Sequence, residues 1–121
     1  MTNTPEVRSQ KTICDVGDVV WVVFDPVIGT EQGGRRPALV VTDTQFNRRE
    51  PRSIVCPITR NLEPWPTKVV LAQGMKTRGA VLVDQIRSVH RAGRSFRFIE
   101  KAPEAVVAEV RAILGALLGT S

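Results

Sequence analysis

The apolar positions of this chain follow two rhythms. Up to about residue 100 they gather in short runs separated by Gly, Pro and charged clusters, and beyond it they recur at three- and four-residue intervals. The first run, residues 18–24, is almost continuously apolar and β-branched, which predicts a strand buried on both faces with Trp21 in the core. Asp25-Pro26 ends it, because proline cannot donate to a ladder. Residues 29–34 form a Gly-rich loop leading into Arg35-Arg36-Pro37. Further strands are predicted at 37–42, 53–59, 68–71 and 96–99, and over 80–89 as one strand or two broken near Asp84. Pro57 places the strand at 53–59 at a sheet edge or a bulge. Residues 43–52, polar and carrying Arg48, Arg49 and Arg52, are a predicted loop, as are residues 60–66, where Trp65 sits between two prolines.

Val106, Val107, Val110, Ile113, Leu114, Leu117 and Leu118 then mark an amphipathic helix. Pro103 and Glu104 suit its first turn, Ala102 is a poor cap, and Gly119 is a natural stop. Many short strands followed by one helix, without βαβ alternation, predict an α+β fold that is mostly β. The architecture expected is a small, strongly curved antiparallel sheet or partly closed barrel with a C-terminal helix. Residues 1–12 show no apolar period and read as a disordered lead-in, leaving 13–121 as one domain.

Charge changes the picture. The net charge is +5, but residues 35–97 hold 13 Lys/Arg against 4 Asp/Glu, a local +9, while the remainder carries −4. Arginine supplies 13 of the 17 basic residues, a bias that suits bidentate phosphate contacts. A basic middle in a small domain points to nucleic acid first and to an acidic protein partner second. One histidine and two distant cysteines argue against a zinc site and against a disulfide framework. The polar N-terminus has no apolar core of a leader peptide, and the apolar stretch near the C-terminus is interrupted by Glu109 and Arg111. A soluble, cytoplasmic protein with no membrane role and no cofactor is expected.

The same inventory limits the chemistry. There is no P-loop, no Ser-His-Asp set that a single histidine could support, and no convincing carboxylate pair. RNA offers a reaction that asks little of titrating side chains, because its 2′-hydroxyl is the nucleophile. The protein then has to hold the phosphate in line and stabilise charge on its oxygens.

The segment GDVVWVVFDPVIGTEQGGRRP resembles the N-terminal signature of the MazF/PemK (Kid) toxins of toxin–antitoxin pairs. RPALVVTD, IVCPIT and GAVLVDQIRSV then fall in the order of that family's later strands, so the likeness covers about residues 16–119. It implies the SH3-like, CcdB-like form of the fold. It also implies a metal-independent, sequence-specific endoribonuclease that cuts single-stranded RNA to a 2′,3′-cyclic phosphate and a 5′-hydroxyl. The family's catalytic arginine falls on Arg36 and its catalytic threonine on Thr59, with Arg35 a supporting phosphate contact. Glu31 and Gln32 match the family's loop, where they contact RNA or hold the loop. Asp84 and Gln85 match an Asp-Gln pair, readable as a buried structural pair or as base readers. Arg87 is a phosphate contact or a solvated charge, and Trp65 a base-stacking platform or a loop anchor. The resemblance further implies a homodimer that binds RNA along its groove, and a MazE-like antitoxin whose acidic C-terminal tail occupies that groove. Two alternatives stay open on the same scaffold: a CcdB-like gyrase poison, though this chain lacks a tryptophan near its C-terminus, and a basic RNA-binding barrel without activity.

Overall fold

The computed structural model describes residues 13–24 and 34–120. The expected lead-in at 1–12 and the Gly-rich loop that carries Glu31 and Gln32 lie outside the described residues. The sheet is built around β3 (Arg52–Thr59), which runs antiparallel to β2 (Arg35–Val40). On its other side β3 pairs with two strands in succession: β6 (Arg87–His90) along its first half and β5 (Ala80–Leu82) at its last residues. β2 pairs with β1 (Asp18–Val23), β1 with β7 (Arg97–Lys101), and β4 (Lys68–Val70) completes the far end against β5. The described strands form one open, antiparallel, seven-stranded sheet in the order β4-β5-β3-β2-β1-β7, with β6 also on β3. The predicted run over 80–89 is therefore two strands, separated by a short 3-10 turn at Val83–Gln85 that carries Asp84.

Pro57 is not at an edge; its strand has neighbours on both sides. Val41 N–H donates to the Ile54 carbonyl at 2.9 Å, so alternation along the ladder makes Ala38 and Pro57 a non-hydrogen-bonded pair. The nitrogen of Pro57 thus faces away from β2. On that side β3 changes partner between Val55, paired with Arg87, and Ile58, paired with Val81. The proline occupies the one stretch of this central strand where no ladder donor is called for.

Period-two alternation divides the buried residues between two faces. One face carries Val19, Leu39, Cys56, Ile58 and Val81 and is covered by the helix α2 (Glu104–Leu118) through Val106 and Val110. The other carries Val20, Val22, Ala38, Val40, Val55 and Val89, closed by Cys14 and Phe24. β1 is buried on both faces as its continuous apolar run requires. Pro103 is the N-cap residue of α2, with its carbonyl accepting from Val106 and Val107 N–H. Gly119 ends the helix in the left-handed region, φ 73°, where its N–H reaches back to the Ala116 carbonyl.

The predicted loop at 43–52 contains a six-residue helix, α1 (Thr44–Arg49). Asp43 caps it, its carboxylate accepting from Phe46 N–H at 3.0 Å. Its inward anchor is polar, which is why no apolar period announces it. Asn47 is fully buried and donates to the Cys14 and Thr42 carbonyls, while its oxygen accepts from Thr42 Oγ1 and Ser53 Oγ. Arg91 seals the cluster from β6's end with bonds to Ser53 Oγ and the Asn47 carbonyl.

Candidate active site

β2 and β3 stop pairing at Ala38 and Pro57 and then part. Arg36 and Thr59 each stand two residues beyond that last pair on their own strands. Alternation puts Arg36 and Thr59 on one face of their strands. Where the strands part lies a cavity of about 730 Å³ lined by both residues, by Arg35, Arg60 and Asn61, and by the turn 76–78 that precedes β5. Among the described residues, five lining side chains are cationic (Arg35, Arg36, Arg60, Lys76 and Arg78), and none is a carboxylate. Such a wall lowers the energy of any anion that enters, the more so where the protein displaces water.

Thr59 Oγ1 accepts a hydrogen bond from Asn61 N–H at 3.1 Å. Its oxygen is thereby oriented, and its proton stays available to donate into the cavity. Arg35 lies over the indole of Trp21, 4.5 Å from the ring centre, a cation–π contact that steadies the guanidinium. Trp21 is not a core residue as the apolar run suggested; it is partly buried and forms a wall of this cavity. It stands opposite Pro37 and lies outside the buried cluster that holds Val19, with the Arg35 guanidinium packed on its ring.

Two smaller cavities adjoin the first. One, about 410 Å³, is lined by Arg36, Gln85 and Arg87 with Phe24 and Pro57, and the Arg87 guanidinium sits 5.1 Å over the Phe24 ring. The other, about 360 Å³, is lined by Asn61, Glu63, Trp65, Lys68, Asp84 and Gln85. Arg36 walls the first and second cavities, Gln85 the second and third, and Asn61 the first and third. Lys68 Nζ donates to the Asn61 and Glu63 carbonyls at 2.7 and 2.8 Å and so fastens the loop that presents Trp65. Trp65 is 62% exposed, which is more than a loop anchor needs. Asp84 and Gln85 are exposed on the 3-10 turn, so the buried-pair reading of them does not hold.

Seven of the residues singled out from the sequence, Arg35, Arg36, Thr59, Trp65, Asp84, Gln85 and Arg87, thus line one run of adjoining cavities. Sequence reasoning missed Arg60, Asn61, Lys76, Thr77 and Arg78 as members of the same surface. Behind them stands Glu100 on β7, whose carboxylate accepts from Lys76 N–H at 3.0 Å, Thr77 N–H at 2.7 Å and Thr77 Oγ1 at 2.6 Å. Burial opposes its ionisation, but these donors and the Lys76 charge outweigh that and hold its carboxyl below the usual range. His90 is occupied structurally, its Nδ1 accepting from Gly93 N–H at 3.2 Å. Among the described residues, no group of three or more His, Cys, Asp or Glu is placed to hold a metal ion.

A cationic cleft at the splayed end of a curved sheet, with an arginine facing a threonine across it, is the arrangement expected of the toxin family that the sequence motifs resemble. The chain belongs to the PemK-like, MazF-like toxins of type II toxin–antitoxin systems, whose family model matches residues 15–118. Endoribonuclease toxin MazF of Escherichia coli strain K12 is 39% identical to it over 75 residues, 62% of this chain and 67% of that protein. Endoribonuclease PemK of Escherichia coli is 32% identical over 113 residues, 90% of this chain and 85% of that one. The MazE–MazF crystal structure from Deinococcus radiodurans matches with a TM-score of 0.80 at 36% identity, over 92% of this chain and all of the other. These relatives do not favour the gyrase-poison and inactive-barrel alternatives.

Proposed function

We propose that this toxin is an endoribonuclease acting on single-stranded RNA, with the scissile phosphate seated between Arg36 and Thr59. The observation that carries the reading is the cavity that these two side chains line together with four further cations, with no carboxylate among its described lining residues. The RNA 2′-oxygen bonds to phosphorus as the P–O5′ bond breaks, leaving a 2′,3′-cyclic phosphate and a 5′-hydroxyl. The proton lost by the 2′-hydroxyl is balanced by the one taken up at O5′, so no water is consumed. Charge builds on the non-bridging oxygens in the transition state, where a fixed guanidinium and a hydroxyl donor act most strongly. A guanidinium keeps its protons in proteins, which makes proton transfer a poor duty for Arg36, so its role is electrostatic. Thr59 donates to the same oxygens, its own oxygen held by Asn61 N–H. Arg35 and Arg87 contact flanking phosphates, while Trp65 stacks a base beside the polar edges of Asp84 and Gln85.

The partner proposed for the cavities in the uncut state is a MazE-like antitoxin with an acidic C-terminal tail. The MazE–MazF neighbour and the basic lining support this. Assembly as a homodimer is supported by the apolar side chains that a single chain leaves exposed, Leu62 at 56% and Val70 at 60% among them. No helix among the described residues is long and apolar enough to cross a membrane, which is compatible with action on cytoplasmic RNA. The deciding experiment incubates the purified protein with a long RNA in EDTA and maps the ends. Discrete cuts with cyclic phosphate termini are expected; RNA left intact under every buffer tried would falsify the nuclease reading.

A further inference from the structure

The turn that closes the basic cavity opposite Arg36 belongs to no strand, yet it is held at both ends. At one end Gly79 packs against Thr59 so closely that a Cβ added there would lie 2.2 Å from the Thr59 carbonyl oxygen. Its φ of +129° is a further demand that only glycine meets without strain. Gly79 O accepts from Leu71 N–H at 2.9 Å, and the next residue, Ala80, pairs with Thr59 itself. At the other end the Glu100 carboxylate takes both main-chain N–H groups of Lys76 and Thr77 and the Thr77 hydroxyl. Glu100 is set in turn by β7, where it pairs with Val19 of β1.

The clamp uses the backbone of the turn and leaves its two long cationic side chains exposed at the cavity, where both form part of the lining. The Arg78 guanidinium makes no hydrogen bond or ion pair among the described residues. With the Glu100 carboxylate taken up by three donors of the turn, the Arg78 guanidinium is left to present its charge to the cavity. The cost of holding two cations side by side falls when an anion arrives between them.

We propose that Lys76 and Arg78 form a second phosphate subsite, which binds the backbone phosphate next to the scissile one. In this reading Glu100 is the positioning residue that holds the subsite in place. The proposal rests on the ribonuclease reading above, because it takes single-stranded RNA as the ligand. Phosphate held by this turn lies beside Thr59 by construction, since Gly79 and Thr59 are in backbone contact. Binding energy collected on the neighbouring phosphate therefore fixes the register of the scissile one against Arg36.

The test measures affinity for a mixed-sequence RNA whose 2′-hydroxyls are all methylated, so that it binds without being cut, across a series of salt concentrations. The proteins compared are the unaltered chain, Lys76→Ala/Arg78→Ala and Glu100→Gln. The double variant is expected to bind about tenfold or more weakly, since two charge-assisted contacts are lost. Its slope of log affinity on log salt should be shallower by about 0.7, the value for one single-strand phosphate neutralised. Glu100→Gln, which keeps both cations but loosens the clamp, should show part of the same change in slope. A purely structural role for Glu100 would lower the melting temperature and leave the slope alone. Unchanged affinity and slope in the double variant overturn the subsite, whether or not the chain cuts RNA. A chain that cuts no RNA but shows the expected slope change loses the nuclease reading and keeps the subsite.

Discussion

The cavity at Thr59 and the cavity at Trp65 share Asn61 as a wall, and their chemistry differs. Among the described residues, the first is ringed by five cations and lacks a carboxylate; the second holds one lysine, whose ammonium is turned to backbone carbonyls, with Glu63 and Asp84 beside it. The first sits where two strands of a rigid sheet part, and the second is formed by a loop and a 3-10 turn. Phosphates are alike in every nucleotide and need fixed positive charge, whereas bases differ and need a flat surface with donors and acceptors at their edges. Under the function proposed above, the contrast assigns cleavage to the strand ends and sequence preference to the loop. Loops vary readily without disturbing the sheet, so preference can diverge among relatives while the cutting machinery stays put.

Arg36→Ala tests the rigid side of this contrast most severely. Its loss should lower kcat by about 10²–10³-fold or more, the usual cost of removing one preorganised charge-stabilising group, while the melting temperature moves little. Retained cleavage would mean that some other group carries the charge of the transition state. Thr59→Val should cost about 10–100-fold in kcat, in keeping with one charge-assisted hydrogen bond lost at the transition state. Single-turnover rates at saturating RNA would show both effects.

On the loop side, Trp65→Ala should weaken binding by about 1–3 kcal/mol through lost stacking. The change should appear in KM and in the ranking of cut sites, with kcat nearly unaltered. If Trp65→Ala lowered kcat as far as Arg36→Ala does, the division of labour between the two cavities would be wrong. The smallest effect expected is one of pH. A carboxyl whose folded pKa lies below its unfolded value contributes stability above the unfolded value and loses it as pH falls through the folded one. Glu100 therefore clamps its turn fully at neutral pH and lets go only in acid. Thermal melts between neutral and acid pH should show a stability step in the unaltered chain that is reduced in Glu100→Gln.

The succession of strands and the terminal helix could be read from the apolar rhythm, because each buried run maps onto one strand or one helical face. What escaped that reading had a polar or three-dimensional cause. α1 is anchored by Asn47, which carries no hydrophobic signal, and Pro57 avoids an edge only because β3 changes neighbours beside it. Trp21 has the sequence context of a core residue and a wall's exposure, since it faces the basic cavity and the Arg35 guanidinium. Arg36 and Thr59 were picked out by family likeness. That they line one cavity is a matter of strand pairing, which brings together residues more than twenty positions apart. The pairing of β3 with β5 likewise hid Lys76 and Arg78: the tripeptide Lys-Thr-Arg before a glycine is plain in the sequence, but nothing local says that Gly79 abuts Thr59.

The two thiols offer an unplanned pair of clocks. Cys14 packs on one face of the sheet and Cys56 on the other, and both are buried and free. Burial, with the Asp84 charge nearby, pushes the Cys56 thiol up to about 12, so at neutral pH almost none of it is the reactive thiolate while the chain is folded. An alkylating reagent can label Cys56 at an appreciable rate only when the face beneath α2 opens, and can label Cys14 when the opposite face does. Mass spectrometry of the two peptides over time would time the openings separately. It would show whether the sheet loosens as one body or sheds its helix first.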